Sequence, residues 1–198
     1  MDLDFIEIGT SNFSTWIQRC TDSQTGISVD AVKHYVDCLP VKDNVRKIHV
    51  ALTSDRKSDF IDVYYIPENV IDSNGLDHWF RGCNAIGNYH PLHINYNVKH
   101  LVTIEQVPLL NIDEFLVQQN VRKIKYLKID TEGHDCVILN GLFKYLETKG
   151  KEYYPDRIEF ETHDCIPTES IDAIIEYAIR IGYKVIIRDY DTILGLEV

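Results

Sequence analysis

Short apolar runs alternate with stretches of helical period along most of the chain. Residues 5–8 make a strand-length run that stops at Gly9, and residues 14–20 fit a helix. Residues 26–30 give a second strand, ending in the acid Asp30. Residues 31–38 place apolar side chains at helical spacing and stop before Pro40. Residues 47–52 read as a third strand; residues 60–66, β-branched and aromatic, read as an additional one. Residues 102–107 and 112–119 read as a strand and a helix. The clearest strand is 126–130, followed by Glu132-Gly133 and a helix over 134–148. Residues 157–161 are the next strand, and 170–181 a helix ending at Gly182. Residues 183–188 and 192–198 are the last two strands.

This alternation predicts an α/β three-layer sandwich: a mostly parallel seven-stranded sheet with helices on both faces. Residues 189–191 are too few for a parallel crossover, so the last two strands must form an antiparallel hairpin. The C-terminal strand is therefore expected to run against the others. Residues 67–100 are the least regular part, with Pro67, Gly75, Gly82, Gly87 and Pro91 among several Asn and His. They are expected to form a long insertion that covers a substrate. The whole of 1–198 reads as one domain.

Composition narrows the function classes. The 198 residues are 44% hydrophobic and 26% charged, enough to bury a core without staples. Acidic side chains outnumber basic ones, 31 to 20, giving a formal charge of -11. That argues against nucleic acid or an anionic membrane as partner. Cys20, Cys38, Cys83, Cys136 and Cys165 are odd in number and lack CxxC spacing, so reduced thiols are expected rather than disulfides or zinc. The opening residues carry no signal peptide, and no apolar run has the length of a membrane span. A cytoplasmic protein without a membrane anchor is the expectation. The chain starts almost directly on its first strand, so a domain of a larger polypeptide is also expected.

In open α/β sheets, ligands sit beyond the carboxyl ends of the strands. The first strand leads there into Glu7-Ile8-Gly9-Thr10-Ser11-Asn12. Gly9 permits a sharp turn beneath a ligand; Ser11 and Asn12 offer hydrogen bonds. Asp30 lies about 20 residues further on, where a carboxylate can accept both ribose hydroxyls of an adenosine-containing cofactor. An acidic N-cap in a plain strand–turn–helix fits Asp30 equally well. GxGxxG is absent, so a pyrophosphate has no close backbone cradle. S-adenosylmethionine has no phosphate, carries a sulfonium cation and suits acidic neighbours such as Glu7. Glu7, Gly9, Thr10, Ser11, Asn12, Asp30, Ala51 and Asp130 are the candidate cofactor-binding residues.

Three stretches carry a family resemblance. Asp4-Phe5-Ile6-Glu7-Ile8-Gly9-Thr10-Ser11, Gly26-Ile27-Ser28-Val29-Asp30 and, above all, Leu127-Lys128-Ile129-Asp130-Thr131-Glu132-Gly133-His134-Asp135 resemble the FkbM-type S-adenosylmethionine-dependent methyltransferases. Trp79-Phe80-Arg81-Gly82-Cys83-Asn84 with His90-Pro91 resembles a segment of a subset of that family. The resemblance spans essentially the whole chain. It implies a Rossmann-like class I methyltransferase fold, whose final strand is antiparallel where a nicotinamide-binding sheet ends in a parallel one. It also implies methylation of hydroxyl oxygens, often on sugars, and an N-terminal extension over the cofactor. One position departs: Phe13 stands where the family commonly has the second glycine of the first loop, and is expected to crowd the methionine end.

Methyl transfer is an in-line displacement, so the protein must position the acceptor and take up its proton. Asp130 ends the fourth main-sheet strand, and Lys128 shares its face by period-two alternation. Glu132 follows in the loop, and His134 opens the next helix. The fifth strand leads through Glu161 to His163. The catalytic candidates are Asp130, His163, Glu161 and Lys128, with His163 as general base oriented by Asp130 or Glu161. Asp130, Glu132 and Glu161 are also hard oxygen ligands that could hold Mg²⁺, a less favoured route. Plainer roles exist: Lys128 as an ion-pair partner, Glu132 and Asp135 as helix-dipole acids, and His134 as an exposed helix residue.

For a small-molecule or glycan acceptor, Trp79, Arg81, Asn84, His90, Glu132 and His134 are the candidate contacts; Trp79 would stack on a sugar and Arg81 could hold the cofactor carboxylate. Aromatics packing over the sheet edge explain Trp79 equally well. Two alternatives remain: a catalytically silent cofactor-binding domain, and a nicotinamide oxidoreductase.

Overall fold

The computed structural model, which describes residues 1–11, 13–162 and 166–197, builds its main sheet outward from the first apolar run. In chain order the elements begin β1 (Asp2–Ile8), the single-turn α1 (Trp16–Arg19), β2 (Gly26–Asp30), α2 (Lys33–Cys38), β3 (Val45–His49) and β4 (Ala51–Thr53). They continue with β5 (Phe60–Tyr65), α3 (Glu68–Ser73), β6 (Ala85–Ile86), α4 (Pro91–Asn95), β7 (Thr103–Asn111) and α5 (Ile112–Gln118). The last are β8 (Lys123–Ile129), α6 (Asp135–Glu147), β9 (Arg157–Glu161), α7 (Thr168–Ile181), β10 (Tyr183–Arg188) and β11 (Asp191–Leu196).

The 7-stranded sheet has the order β10-β11-β9-β8-β1-β2-β3. Strands β3, β2, β1, β8 and β9 run parallel, whereas β11 is antiparallel to both β9 and β10. This is the expected Rossmann-like sandwich with its reversed C-terminal strand. The chain winds outward from β1 through β2 to β3, then returns to build β8 and β9 on the other side. The direction of winding therefore switches between β1 and β8, where open α/β sheets bind ligands.

Period-two alternation assigns the faces. Ile6, Ile8, Leu127, Ile129, Ile158 and Phe160 belong to the large core with Phe115, Leu139, Phe143 and Ile175 of α5, α6 and α7. On the other face Phe5 packs with Ile17, Cys20, Leu39 and Val45, and its ring stacks on Trp16. Glu7, Lys128 and Asp130 alternate onto that second face. Helix α7 ends at Gly182, whose φ of 109° is a left-handed stop. No helix among the described residues is long and apolar enough to cross a membrane.

Two expectations need correction. Residues 47–52 are not one strand. Strand β3 stops at His49, and the Val50 N–H donates to the Asp30 carbonyl (3.1 Å). Ala51–Thr53 then pairs with Leu109–Asn111 in a second, 4-stranded sheet of order β4-β7-β5-β6. An apolar run records burial, not which neighbour supplies the hydrogen bonds. Nor is 67–100 irregular throughout. It holds α3, β6, α4 and a 3-10 turn at His78–Arg81, gathered on Ile66, Ile71, Phe80, Cys83 and Val98. These elements are too short to show a period. Tyr35 Oη ties the insertion to α2 by donating to the Arg81 carbonyl (2.9 Å).

Gly9 lets β1 and β8 meet at their ends. Its φ is 80°, and a Cβ there would lie 1.7 Å from the Asp130 carbonyl oxygen. Gly75 is also left-handed (φ 64°), but a Cβ on it would meet nothing within 4 Å. Gly9→Ala is expected to cost about 3 kcal/mol or more in denaturant unfolding, and Gly75→Ala about 1 kcal/mol. Equal small losses would show that the two strand ends do not depend on this approach.

Candidate functional site

The switch point between β1 and β8 opens into a cleft of about 240 Å³, slightly below the usual range for small-molecule sites. Its first wall is the loop after β1. Gly9 N–H donates to the Val29 carbonyl (2.9 Å). Thr10 N–H (2.8 Å), Thr10 Oγ1 (3.1 Å) and Ser11 N–H (2.8 Å) all donate to Asp30 Oδ2, while Val32 N–H donates to Oδ1 (2.7 Å). Asp30 is only 6% exposed. Burial pushes its carboxyl pKa up, and these hydrogen bonds oppose that shift. Asp30 thus anchors the first loop to β2 and caps the turn into α2. Oδ1 keeps capacity for one further donor, so the ribose role read from the sequence shrinks from two contacts to one.

The opposite wall is acidic. Glu7, 1% exposed, accepts the Trp16 N–H (2.8 Å) and so caps α1. Burial raises its pKa to about 7 against that bond and the pull of Lys128. Lys128 Nζ pairs with Asp130 Oδ2 at 2.8 Å. Asp135 is fully buried. Its Oδ1 accepts Thr131 N–H (2.9 Å) and Thr131 Oγ1 (2.5 Å), and its Oδ2 accepts Glu161 N–H (3.0 Å). Burial outweighs these bonds and lifts its pKa to about 6. Asp135 therefore fastens the loop after β8 to the end of β9, more than a dipole partner would. Glu132 (φ 53°) and Gly133 (φ 100°) are left-handed, and Glu132 N–H donates to Glu161 Oε2 (3.1 Å). Glu161 has its pKa pushed up to about 10, by burial first and then by Asp130, Glu132 and Asp135.

Most of the residues picked from the sequence line this cleft. Glu7, Gly9, Thr10, Ser11, Asp30, Ala51, Asn84, Lys128, Asp130, Glu132, His134 and Glu161 are all there. His134 is not an exposed helix residue: it is half-buried, with Nε2 3.2 Å from Thr53 Oγ1, and burial lowers its pKa. Asn12 and His163 lie outside the described residues.

Trp79, Arg81 and His90 do not line the cleft. Trp79 stacks on Phe80 (4.1 Å between centroids) and meets Tyr96 edge-on, the plainer reading of that aromatic. Arg81 is committed to Glu68 (3.1 Å), with its guanidinium 5.2 Å from the Phe13 ring centroid, so it does not reach for a cofactor carboxylate. His90 is fully buried in the insertion; its Nδ1 accepts the Leu92 N–H (3.2 Å). Phe13 lines the mouth, 44% exposed under Arg81, and the cleft remains open beside it. The sequence reading missed the apolar lining: Val29, Val32, Val50, Leu52, Val63 and Ile86. Val63 and Ile86 come from the second sheet, whose existence no local pattern announced.

A family model described as the methyltransferase FkbM domain matches residues 8–185. No curated protein matches the chain.

The raised pKa of Glu7 makes stability pH-dependent. The folded state holds this proton between the ordinary 4.5 and about 7, so its contribution is fully present below pH 4.5 and is lost as pH rises through 7. Glu7→Gln keeps an acceptor for Trp16 but removes the titration. Relative to the wild type, its unfolding free energy is expected to improve by about 2–3 kcal/mol between pH 4.5 and 8. A difference that stays constant with pH would mean that Glu7 does not titrate in this window.

Proposed function

The chain belongs to the FkbM methyltransferase family, and we propose that it transfers a methyl group from S-adenosylmethionine to a hydroxyl oxygen of a sugar or glycan. The observation that carries this reading is the polarity of the cleft. Glu7, Asp30, Asp130, Glu132 and Glu161 line it against Lys128 and His134, beside an apolar strip of Val32, Ala51 and Leu52. Such a lining favours a cation attached to a flat apolar group and opposes a pyrophosphate. When bound, S-adenosylmethionine supplies an electrophilic methyl carbon: the oxygen–carbon bond forms as the carbon–sulfur bond breaks, and the thioether leaves.

The chain's own residues supply position and proton uptake. Asp30 fixes the first loop and offers Oδ1 to a ribose hydroxyl. Glu7 and Asp130 would offset the positive charge of the bound donor. Val32, Ala51 and Leu52 would hold its adenine by apolar contact. On the acceptor side, Glu132, His134 and Asn84 hold hydroxyls by hydrogen bonds. The acceptor proton leaves to a group at the ends of β8 and β9, the role the sequence assigns to His163 with Asp130 or Glu161. Correct alignment contributes most of the rate, because in-line transfer is chiefly a positioning problem.

Calorimetric titration with S-adenosylhomocysteine, with NAD in parallel, tests the donor. Binding of the thioether alone, weakened roughly ten- to a hundredfold in Asp30→Asn, is expected. A folded protein that binds NAD, or neither compound, would overturn the reading. With labelled donor and extract of the source cells, the label should enter carbohydrate as an alkali-stable ether. Methanol released by alkali would mean a carboxyl acceptor instead.

A further inference from the structure

We propose that the acceptor side of this cleft is also a binding site for a hard divalent cation, Mg²⁺ or Mn²⁺, held by Asp130, Glu132 and Glu161. One carboxylate oxygen from each can be chosen so that all lie within 4.8 Å of one another. They come from two pieces of chain: Asp130 directly follows β8 and Glu132 sits two residues on in the left-handed loop, while Glu161 closes β9. An all-oxygen, multiply charged set on a partly buried wall is what hard cations select.

Acids alone would not make this a site. The independent observation is His90. It belongs to the insertion, not to the acidic loops, and its side chain is fully buried. Its Nδ1 accepts the Leu92 N–H, so in the neutral ring the proton sits on Nε2. That buried Nε2 makes no hydrogen bond among the described residues and faces Glu132 Oε2 at 3.4 Å, just outside good hydrogen-bonding range. A buried donor held beyond good bonding distance of its only facing carboxylate among the described residues loses part of its compensation. A cation engaging the Glu132 carboxylate gives it a fixed place within reach of this N–H, the arrangement by which outer groups orient metal-ligating carboxylates. Gly82 leaves the room: a Cβ there would stand 2.9 Å from Glu132 Oε1. The insertion thus meets Glu132 from both sides. Water and an acceptor hydroxyl would complete the coordination, and the cation would ease loss of the hydroxyl proton. That catalytic use rests on the methyl-transfer reading; the existence of the site does not.

The test uses the full chain with Mn²⁺ alone, following free Mn²⁺ by electron paramagnetic resonance without donor or acceptor. One ion per chain, displaced by Mg²⁺, is expected. E132Q and E161Q should each weaken it roughly tenfold or more, while D37N, in an exposed pair with Lys33, leaves it unchanged. H90Q, which keeps an N–H donor, should bind better than H90A, with thermal melts confirming that both fold. No binding at about 1 mM Mn²⁺, or binding that survives E132Q and E161Q, overturns the proposal. The two readings fail separately. Thioether binding without Mn²⁺ binding removes the cation site only, and Mn²⁺ binding without thioether binding removes the donor only.

Discussion

The site depends on how closely the ends of β1 and β8 approach one another. Gly9 lies against the Asp130 carbonyl, at a distance that excludes any Cβ and a backbone angle that disfavours one. Everything that faces the cleft is referenced to that contact. The first loop leaves Gly9 and is caught by Asp30; the second leaves Asp130 and is caught by Asp135. Each loop is held by one buried carboxylate taking several donors. A buried acid without those donors would be prohibitively costly, and the loops without the acids would leave their N–H groups unpaired. Fold and site are therefore stabilised by the same bonds.

The acidity of the cleft follows from the alternation of the strands. Glu7, Lys128, Asp130 and Glu161 lie on the face where Phe5 packs with Ile17 of α1 and Leu39 beyond α2, while the apolar residues between them fill the other face. Lys128 offsets part of this charge through Asp130. The rest is relieved by protonation, as the raised pKa values of Glu7 and Glu161 indicate, or by a cationic ligand. A site built this way discriminates by charge before it discriminates by shape.

The sheet was legible because its strands are regular and long enough for period two, and because residues 189–191 allow only a hairpin. The Asp130–Asp135 stretch was legible as chemistry, since acids at a strand end face a cleft. The second sheet was not, because β4 is only three residues long and follows β3 after the single residue Val50, so its change of partner leaves no mark in composition. Arg81 and Trp79 looked like ligand contacts because their side chains suit ligands. Glu68 and Tyr96, which engage them, became neighbours only through the short elements of the insertion. Asp30 fits both a ribose acceptor and a helix cap in the sequence; in the structure it first anchors the two loops around it, with one lone pair of Oδ1 left over.

The insertion has its own small core, on Ile66, Ile71, Phe80 and Val98, and it meets the acidic wall at Glu132. Selection can therefore treat it as an exchangeable cassette. Substitutions on its outer surface change what is presented to the mouth of the cleft without disturbing the loops fixed by Asp30 and Asp135. Substitutions at Gly82 or His90 reach those loops directly. Change in what the mouth admits is thus separable from the fixed loops, and the contact with Glu132 at their seam runs through His90 and Gly82.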